Sequence, residues 1–202
     1  MPPISGALSP KRRKGKAVEI RRLGIPDVVE LVPKKQGDGR GFFAETYSRQ
    51  RFAEAGFAID WVQDNQSFSA ERHVLRGLHF QVAPFAQDKL IRVLRGSIFD
   101  VAVDIRPGSA SCGKWVSCEL SAEKFNQLLV PRGFAHGFLT LEPATEVLYK
   151  VSAPYAPAAD RTVRFDDPAL GIAWPLGGAS PQLSDKDRDA PLLAAIAARM
   201  AF

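Results

Sequence analysis

The stretch VLRGLHFQVAPFAQDKLIRVLRGSIFDVAVDIR, Val74 to Arg106, decides the fold. It divides into short extended runs. VLRGLHFQV comes first, and LIRVLRG and SIFDVAVDIR follow, joined at Gly96-Ser97. In the last run Phe99, Val101, Val103 and Ile105 share one face, while Asp100, Ala102 and Asp104 share the other. That two-residue period is the signature of a strand. Downstream, KWVSCEL, QLLVP, HGFLTL and EVLYKVS continue the series, each bounded by turn residues. Many short strands at this spacing predict a mainly β sandwich or barrel.

Outside this series the signals are sparser. VVELV (Val28 to Val32) predicts a short strand, and GDGRGFF (Gly37 to Phe43) a glycine-rich turn entering an extended run. SRQRFAEA (Ser48 to Ala55) predicts a short helix with Ser48 as N-cap and Gly56 as its stop. PLLAAIAARM (Pro191 to Met200) predicts a closing helix, with Pro191 in the first turn and Asp189 as cap.

Composition bounds the rest. The 202 residues suit one domain with a real core, and 46% hydrophobic against 24% charged residues reads as a globular protein. No apolar run approaches the ~20 residues of a membrane span, and the basic start lacks a signal-peptide core, so a cytoplasmic protein is expected. The six-residue offset of Cys112 and Cys118 is not a zinc spacing and predicts two unpaired thiols. The net charge of +5 is uneven: residues 1–22 carry seven Lys/Arg and one acid, leaving −1 for the remainder. Residues 1–22 are therefore expected to form a basic, disordered tail and residues 23–202 a single domain. Nucleic-acid binding would need basic residues across a folded face, so no nucleic-acid or membrane partner is expected.

Only three histidines are present. His79 (RGLHFQ) and His136 (PRGFAHGF) lie on strands beside glycines, whereas His73, in the polar ERH stretch, is expected at the surface.

Seven segments together resemble the dTDP-4-dehydrorhamnose 3,5-epimerase family: GDGRGFFAETY (37–47), WVQDNQS (61–67), VLRGLHFQ (74–81), DKLIRVLRGSIFDVAVDIR (88–106), VPRGFAHGFLTL (130–141), EVLYK (146–150) and LSDKD (183–187). They run in family order from about Ile25 to Leu193. The resemblance implies a cupin-like double-stranded β-helix, or jelly roll, with a few short peripheral helices. It further implies a homodimer with an extended strand region at its interface, and no cofactor. The implied reaction converts dTDP-4-dehydro-6-deoxy-D-glucose to dTDP-4-dehydro-L-rhamnose, the third step of dTDP-rhamnose synthesis.

That chemistry sets requirements the residues can meet. The C–H bonds at C3 and C5 of a 4-keto sugar are acidified because the anion delocalises onto the ketone oxygen. A base is needed on one face, a proton donor on the other, and a cation near the oxygen. No redox fingerprint such as G-x-G-x-x-G is present. His79 is the candidate base, since imidazole titrates near neutral pH, although alone it reads more readily as a satisfied core histidine. A histidine base benefits from an acidic orienter. Asp185, Asp187 and Asp189 are all available in LSDKDRDAPLL; spacing does not choose among them, and the family motif places the role on Asp187. The same match makes Tyr149 the proton donor and Lys89 the cation at the developing enolate. Tyr155, after Pro154, is a poorer donor candidate.

By resemblance the nucleotide and sugar contacts are Arg40, Glu45, Gln63, Asn65, Arg76, Lys89, His136, Asp160 and Lys186. Arginine's fork suits the diphosphate. At Asp160 the family usually has Glu, and the shorter side chain is expected to weaken one nucleotide contact or route it through water. Three rival readings are open. A metal-dependent cupin enzyme would need H-x-H and a downstream Glu, but RGLHFQ offers one histidine, and His79 with His136 falls short of three ligands, so no metal is expected. A mono-epimerase acting at C3 or C5 of a related sugar nucleotide would keep the same His, Asp and Tyr. A non-catalytic sugar-nucleotide-binding jelly roll would lack the base or the donor.

Overall fold

The structure, a computed structural model, describes residues 18–196. Thirteen strands dominate: β1 (Val18–Arg22), β2 (Val29–Pro33), β3 (Gln36–Asp38), β4 (Gly41–Phe43), β5 (Gln63–Ser69), β6 (Leu75–Gln81), β7 (Lys89–Arg95), β8 (Ser97–Asp104), β9 (Trp115–Ser121), β10 (Gln127–Val130), β11 (Phe134–Thr140), β12 (Thr145–Val151) and β13 (Asp160–Thr162). The helices are short: α1 (Arg49–Glu54), α2 (Asp185–Arg188) and α3 (Leu193–Ile196). A six-stranded sheet, β1-β2-β10-β7-β12-β5, faces a five-stranded sheet, β13-β6-β11-β8-β9, and every pairing within both is antiparallel. This is the expected mainly β, cupin-like jelly roll.

Three apolar layers hold it together. Ile91, Val93, Leu128, Val130 and Val147 of the larger sheet meet Ile98, Ala102, Leu120, Phe134 and Phe138 of the smaller one between the sheets. Outside the larger sheet, Val29, Leu31, Leu90 and Leu129 pack under Phe52 of α1. Outside the smaller sheet, Leu78, Phe80, Val101, Val103 and Ala135 pack under Val163 and Leu170 of the C-terminal segment. The alternation in SIFDVAVDIR therefore does not separate core from solvent. Phe99, Val101, Val103 and Ile105 turn outward beneath the C-terminal segment, and the face carrying Asp100 and Ala102 turns into the barrel, both fully buried.

Several local expectations need correction. Val18–Arg22, inside the expected tail, forms β1 and pairs with β2 over five residue pairs. Its VEIRR pattern alternates, and Arg21 pairs with Glu19 and Glu30, so its charges sit on a strand. The rest of that stretch, residues 1–17, lies outside the described residues. The glycine-rich segment does turn into an extended run, β4, and that run pairs back on β3 as a hairpin. The closing helix is only α3, four residues long within the described chain; Asp189 is the C-cap of α2 instead, and residues 197–202 lie outside the described residues. His73 is half-buried with a positive φ of 63°, and its Nε2 is out of solvent. By contrast α1 starts at Ser48, whose side chain accepts from Arg51 N as the sequence predicts. Cys112 and Cys118 are free thiols. No helix among the described residues is long and apolar enough to cross a membrane.

Candidate active site

A cavity of about 490 Å³ opens at one end of the space between the sheets. His79, Lys89, His136, Tyr149, Asp187 and Arg76 all line it, from positions as far apart in sequence as Arg76 and Asp187. Strand register explains the convergence. His79 of β6 lies directly opposite His136 of β11, so both imidazoles leave the same sheet face. Tyr149 of β12 lies opposite Asn65 of β5, and Lys89 opens β7 beside them in the facing sheet.

Two glycines permit this approach. A Cβ on Gly77 would stand 2.5 Å from Gly137 Cα, and one on Gly137 would stand 2.8 Å from Arg76 O. Gly77 also has φ +134°, open to glycine but costly for other residues. β6 and β11 thus touch backbone to backbone between Arg76 and His79, where the register of β11 shifts between His136 and Phe138.

The His79 side chain is 32% exposed and meets Asp187, with Nε2 and Oδ1 2.5 Å apart. Asp187 sits in the first turn of α2, whose N-cap is Ser184. Ser184 Oγ accepts from Asp187 N at 3.2 Å and donates to Asp187 Oδ2 at 2.9 Å, so one oxygen is tied down and the other faces the imidazole. Burial alone would raise the carboxyl pKa. The bond and charge of His79, the Ser184 bond and the Lys186 charge outweigh it and hold Asp187 below the usual carboxylate range. Asp187 is therefore anionic at neutral pH. His79 Nε2 carries the proton between them, leaving Nδ1 to accept another.

A second imidazole–carboxylate pair lies deeper. His136 Nε2 stands 2.8 and 3.0 Å from the two oxygens of Asp100, and Asp100 is fully buried. Burial pushes this carboxyl above its ordinary value, against the opposing bond and charge of His136 and the charge of Lys89. The sequence reading missed Asp100. The available signal was an acid in mid-strand within an otherwise apolar run.

Lys89 is buried and donates to His79 O at 3.2 Å. Burial lowers its pKa to about 8, against the charges of Asp160 and Asp100. Its neighbour Asp88 is clamped by Arg132 and Ser152, which fixes the start of β7. Burial raises the Tyr149 phenol, Asp160 adding to the effect and Arg76 opposing it, so the phenol keeps its proton through the neutral range. Arg76 is held by Ser69 Oγ at 3.3 Å and Phe68 O at 3.1 Å.

The remaining expected contacts are dispersed. Gln63 donates to Asn65 Oδ1 at 2.7 Å on the inner face of β5. Gln63 Oε1 accepts from Tyr155 N, and the Tyr155 hydroxyl donates to Asp160 Oδ2 at 3.2 Å. Asp160 also forms an ion pair with Lys186. Gln63, Asn65, Asp160, Lys186, Arg40 and Glu45 do not line the cavity of a single chain. Arg40 is exposed on the β3–β4 turn with Asp38, and Glu45 pairs with Arg51. Among the described residues no group of three or more His, Cys, Asp or Glu converges as a metal shell.

Comparison with known proteins identifies the family. The family model described as dTDP-4-dehydrorhamnose 3,5-epimerase matches residues 22–195. The dTDP-4-dehydrorhamnose 3,5-epimerase of Sinorhizobium fredii is 50% identical over 174 residues, covering 86% of this chain and 89% of that relative. Among solved structures, the Bacillus anthracis dTDP-4-dehydrorhamnose 3,5-epimerase with TDP and PPi bound is 47% identical with a TM-score of 0.84, over 87% of this chain and 99% of that one. The Legionella pneumophila dTDP-6-deoxy-D-glucose-3,5-epimerase in complex with dTDP-4-keto-L-rhamnose is 42% identical with a TM-score of 0.86, over 92% of this chain and 98% of that one.

Proposed function

The chain belongs to the dTDP-4-dehydrorhamnose 3,5-epimerase family, and on that premise we propose that this cavity inverts C3 and C5 of dTDP-4-dehydro-6-deoxy-D-glucose to give dTDP-4-dehydro-L-rhamnose. The enzyme is an isomerase. The observation that carries the reading is one cavity holding a carboxylate-bound imidazole, a neutral phenol from the facing sheet and a buried lysine.

In the proposed mechanism His79 Nδ1 removes the proton beside the ketone, and Asp187 steadies the imidazolium that results. The negative charge moves to the ketone oxygen, where Lys89 supplies a cation in a water-poor site. A donor of that kind contributes roughly 3–4 kcal/mol. Tyr149 then delivers a proton from the opposite face, and the stereocentre is inverted. His136, braced by Asp100, and Arg76 hold the sugar and the diphosphate. Gln63, Asn65, Asp160 and Lys186 hold the remainder of the nucleotide sugar.

A homodimer completes the site in this reading. β5 is an open sheet edge that exposes Phe68, with Val62 exposed just before it, and Phe42 and Phe43 of the β3–β4 hairpin expose further apolar surface. Unpaired edges and exposed aromatics of this kind recruit a second chain. In the dimer we assign Arg40 and Glu45 to the nucleotide in the neighbouring protomer's cavity. We assign the catalytic domain to residues 23–202, its sheet extended by β1 at Val18–Arg22, and two free thiols suit the reducing cytoplasm.

Proton NMR with dTDP-4-dehydro-6-deoxy-glucose in D₂O tests the reading. Deuterium at both C3 and C5 with epimer formed is the expected result. Exchange at one carbon would make the protein a mono-epimerase, and no exchange would sink the substrate assignment.

A further inference from the structure

One solvent-shielded side-chain atom of the cavity lining has no hydrogen-bond partner among the described residues. Ser67 of β5 lines the cavity, and its Oγ is out of solvent without a hydrogen bond. Most buried hydroxyls are satisfied, so an unsatisfied one facing a cavity points to a ligand atom. Its place along the strand says which one. Residues 65, 67 and 69 share the inner face of β5. Asn65 lies opposite Tyr149, Ser67 opposite Val147, and Ser69 Oγ accepts from Arg76. Ser67 therefore stands between the neighbour of the proposed proton donor and the anchor of the proposed phosphate-binding arginine.

The substrate has the same order. Its reacting carbons flank the ketone at C4, its phosphate leaves from C1, and C2 with its hydroxyl lies between. We propose that Ser67 is a specificity-determining residue that hydrogen-bonds the sugar 2-hydroxyl. This rests on the 3,5-epimerase reading above and adds which sugars the cavity accepts. Because Ser67 Oγ is already unpaired in the free protein, the parent sugar gains a hydrogen bond there that an analogue lacking the hydroxyl does not. Sugars without a hydroxyl at C2 are then poor substrates.

Kinetics of wild type and Ser67→Ala on the 4-keto-6-deoxyglucose nucleotide and on its 2-deoxy analogue test this. Ser67→Ala should lower kcat/KM about tenfold on the parent sugar, the weight of one ordinary hydrogen bond. On the 2-deoxy analogue the two enzymes should agree within about twofold, and dTDP alone should bind both equally. Ser67→Ala leaves no partner unpaired in the free protein, so its melting temperature should equal or exceed that of wild type. Ser67→Cys, which keeps the volume and donates weakly, should behave like alanine. Equal losses on both sugars, no loss on either, or weakened dTDP binding would overturn the proposal. Wild type inactive on both sugars would overturn the epimerase reading and this proposal with it, an outcome visible before any variant is made.

Discussion

The two imidazole–carboxylate pairs present their imidazoles to one cavity, yet their carboxylates are driven in opposite directions. Asp187 is held below the ordinary range by His79, by its own helix cap and by Lys186. Asp100 sits in mid-strand with no such cap, and burial pushes it up. When the environments of titratable groups are pushed apart in this way, their roles separate. An anion beside a partly exposed imidazole suits a base that is charged and discharged each turnover. A deeply buried pair with a raised carboxyl suits a fixed donor that holds the substrate. The same two residue types thus supply reaction at one position and placement at the other.

The sharpest way to break that division is to replace each carboxylate by its amide. Asp187→Asn offers His79 Nε2 a donor or the wrong acceptor, and kcat should fall about 10³- to 10⁴-fold, as expected when a catalytic histidine loses its orienter. Asp100→Asn can still accept from His136 and relieves a costly buried charge, so the loss should be about tenfold. Steady-state rates decide the matter: equal losses would mean that both pairs work in the proton transfer.

Tyr149→Phe sharpens the comparison from the other side of the sugar. It removes the donor and leaves His79–Asp187 intact. Turnover should fall about 10²- to 10³-fold. In D₂O, however, the starting sugar should still acquire deuterium from the His79 face. Loss of exchange together with turnover would place Tyr149 in the abstraction step and reverse the assignment of the two faces.

How much of this was legible depended on whether the signal was local. Ser48 caps α1 as read, and the strands from Leu75 to Val151 follow the turn residues that bound them. Local alternation could not say what covers a face. Phe99, Val101 and Val103 proved to be the outer face only because the C-terminal segment returns to bury them. Composition was misleading at Val18–Arg22, where three charged residues hid an edge strand. In the site, the family resemblance rather than the residues alone singled out His79 and Tyr149, which the structure brings to one cavity. Spacing did not choose among the three aspartates and the family resemblance pointed to Asp187; the structure adds the capping contact of Ser184 that ties one of its oxygens while the other meets His79. Asp100 needed the register that sets β8 beside β11, and Arg40 belongs to a surface that one chain leaves open.

The smallest effect concerns Lys89, the group between the two pairs. Its pKa falls from an ordinary 10.5 to about 8, burial being the main cause. The proposed role needs the ammonium form, so kcat should fall by half near pH 8 and continue down as pH rises. Stability should move the other way. Between about 8 and 10.5 the unfolded chain holds a proton on this lysine that the folded chain has released. The unfolded state binds more protons there, and stability rises with pH across that window. The burial cost of the charged lysine is fully present below pH 8 and is relieved above it. Lys89→Met should remove both trends, flattening the alkaline limb of its residual activity and of urea-unfolding free energy. An alkaline limb that survived in Lys89→Met would assign it to another group, the Tyr149 phenol being the nearest that loses a proton at higher pH.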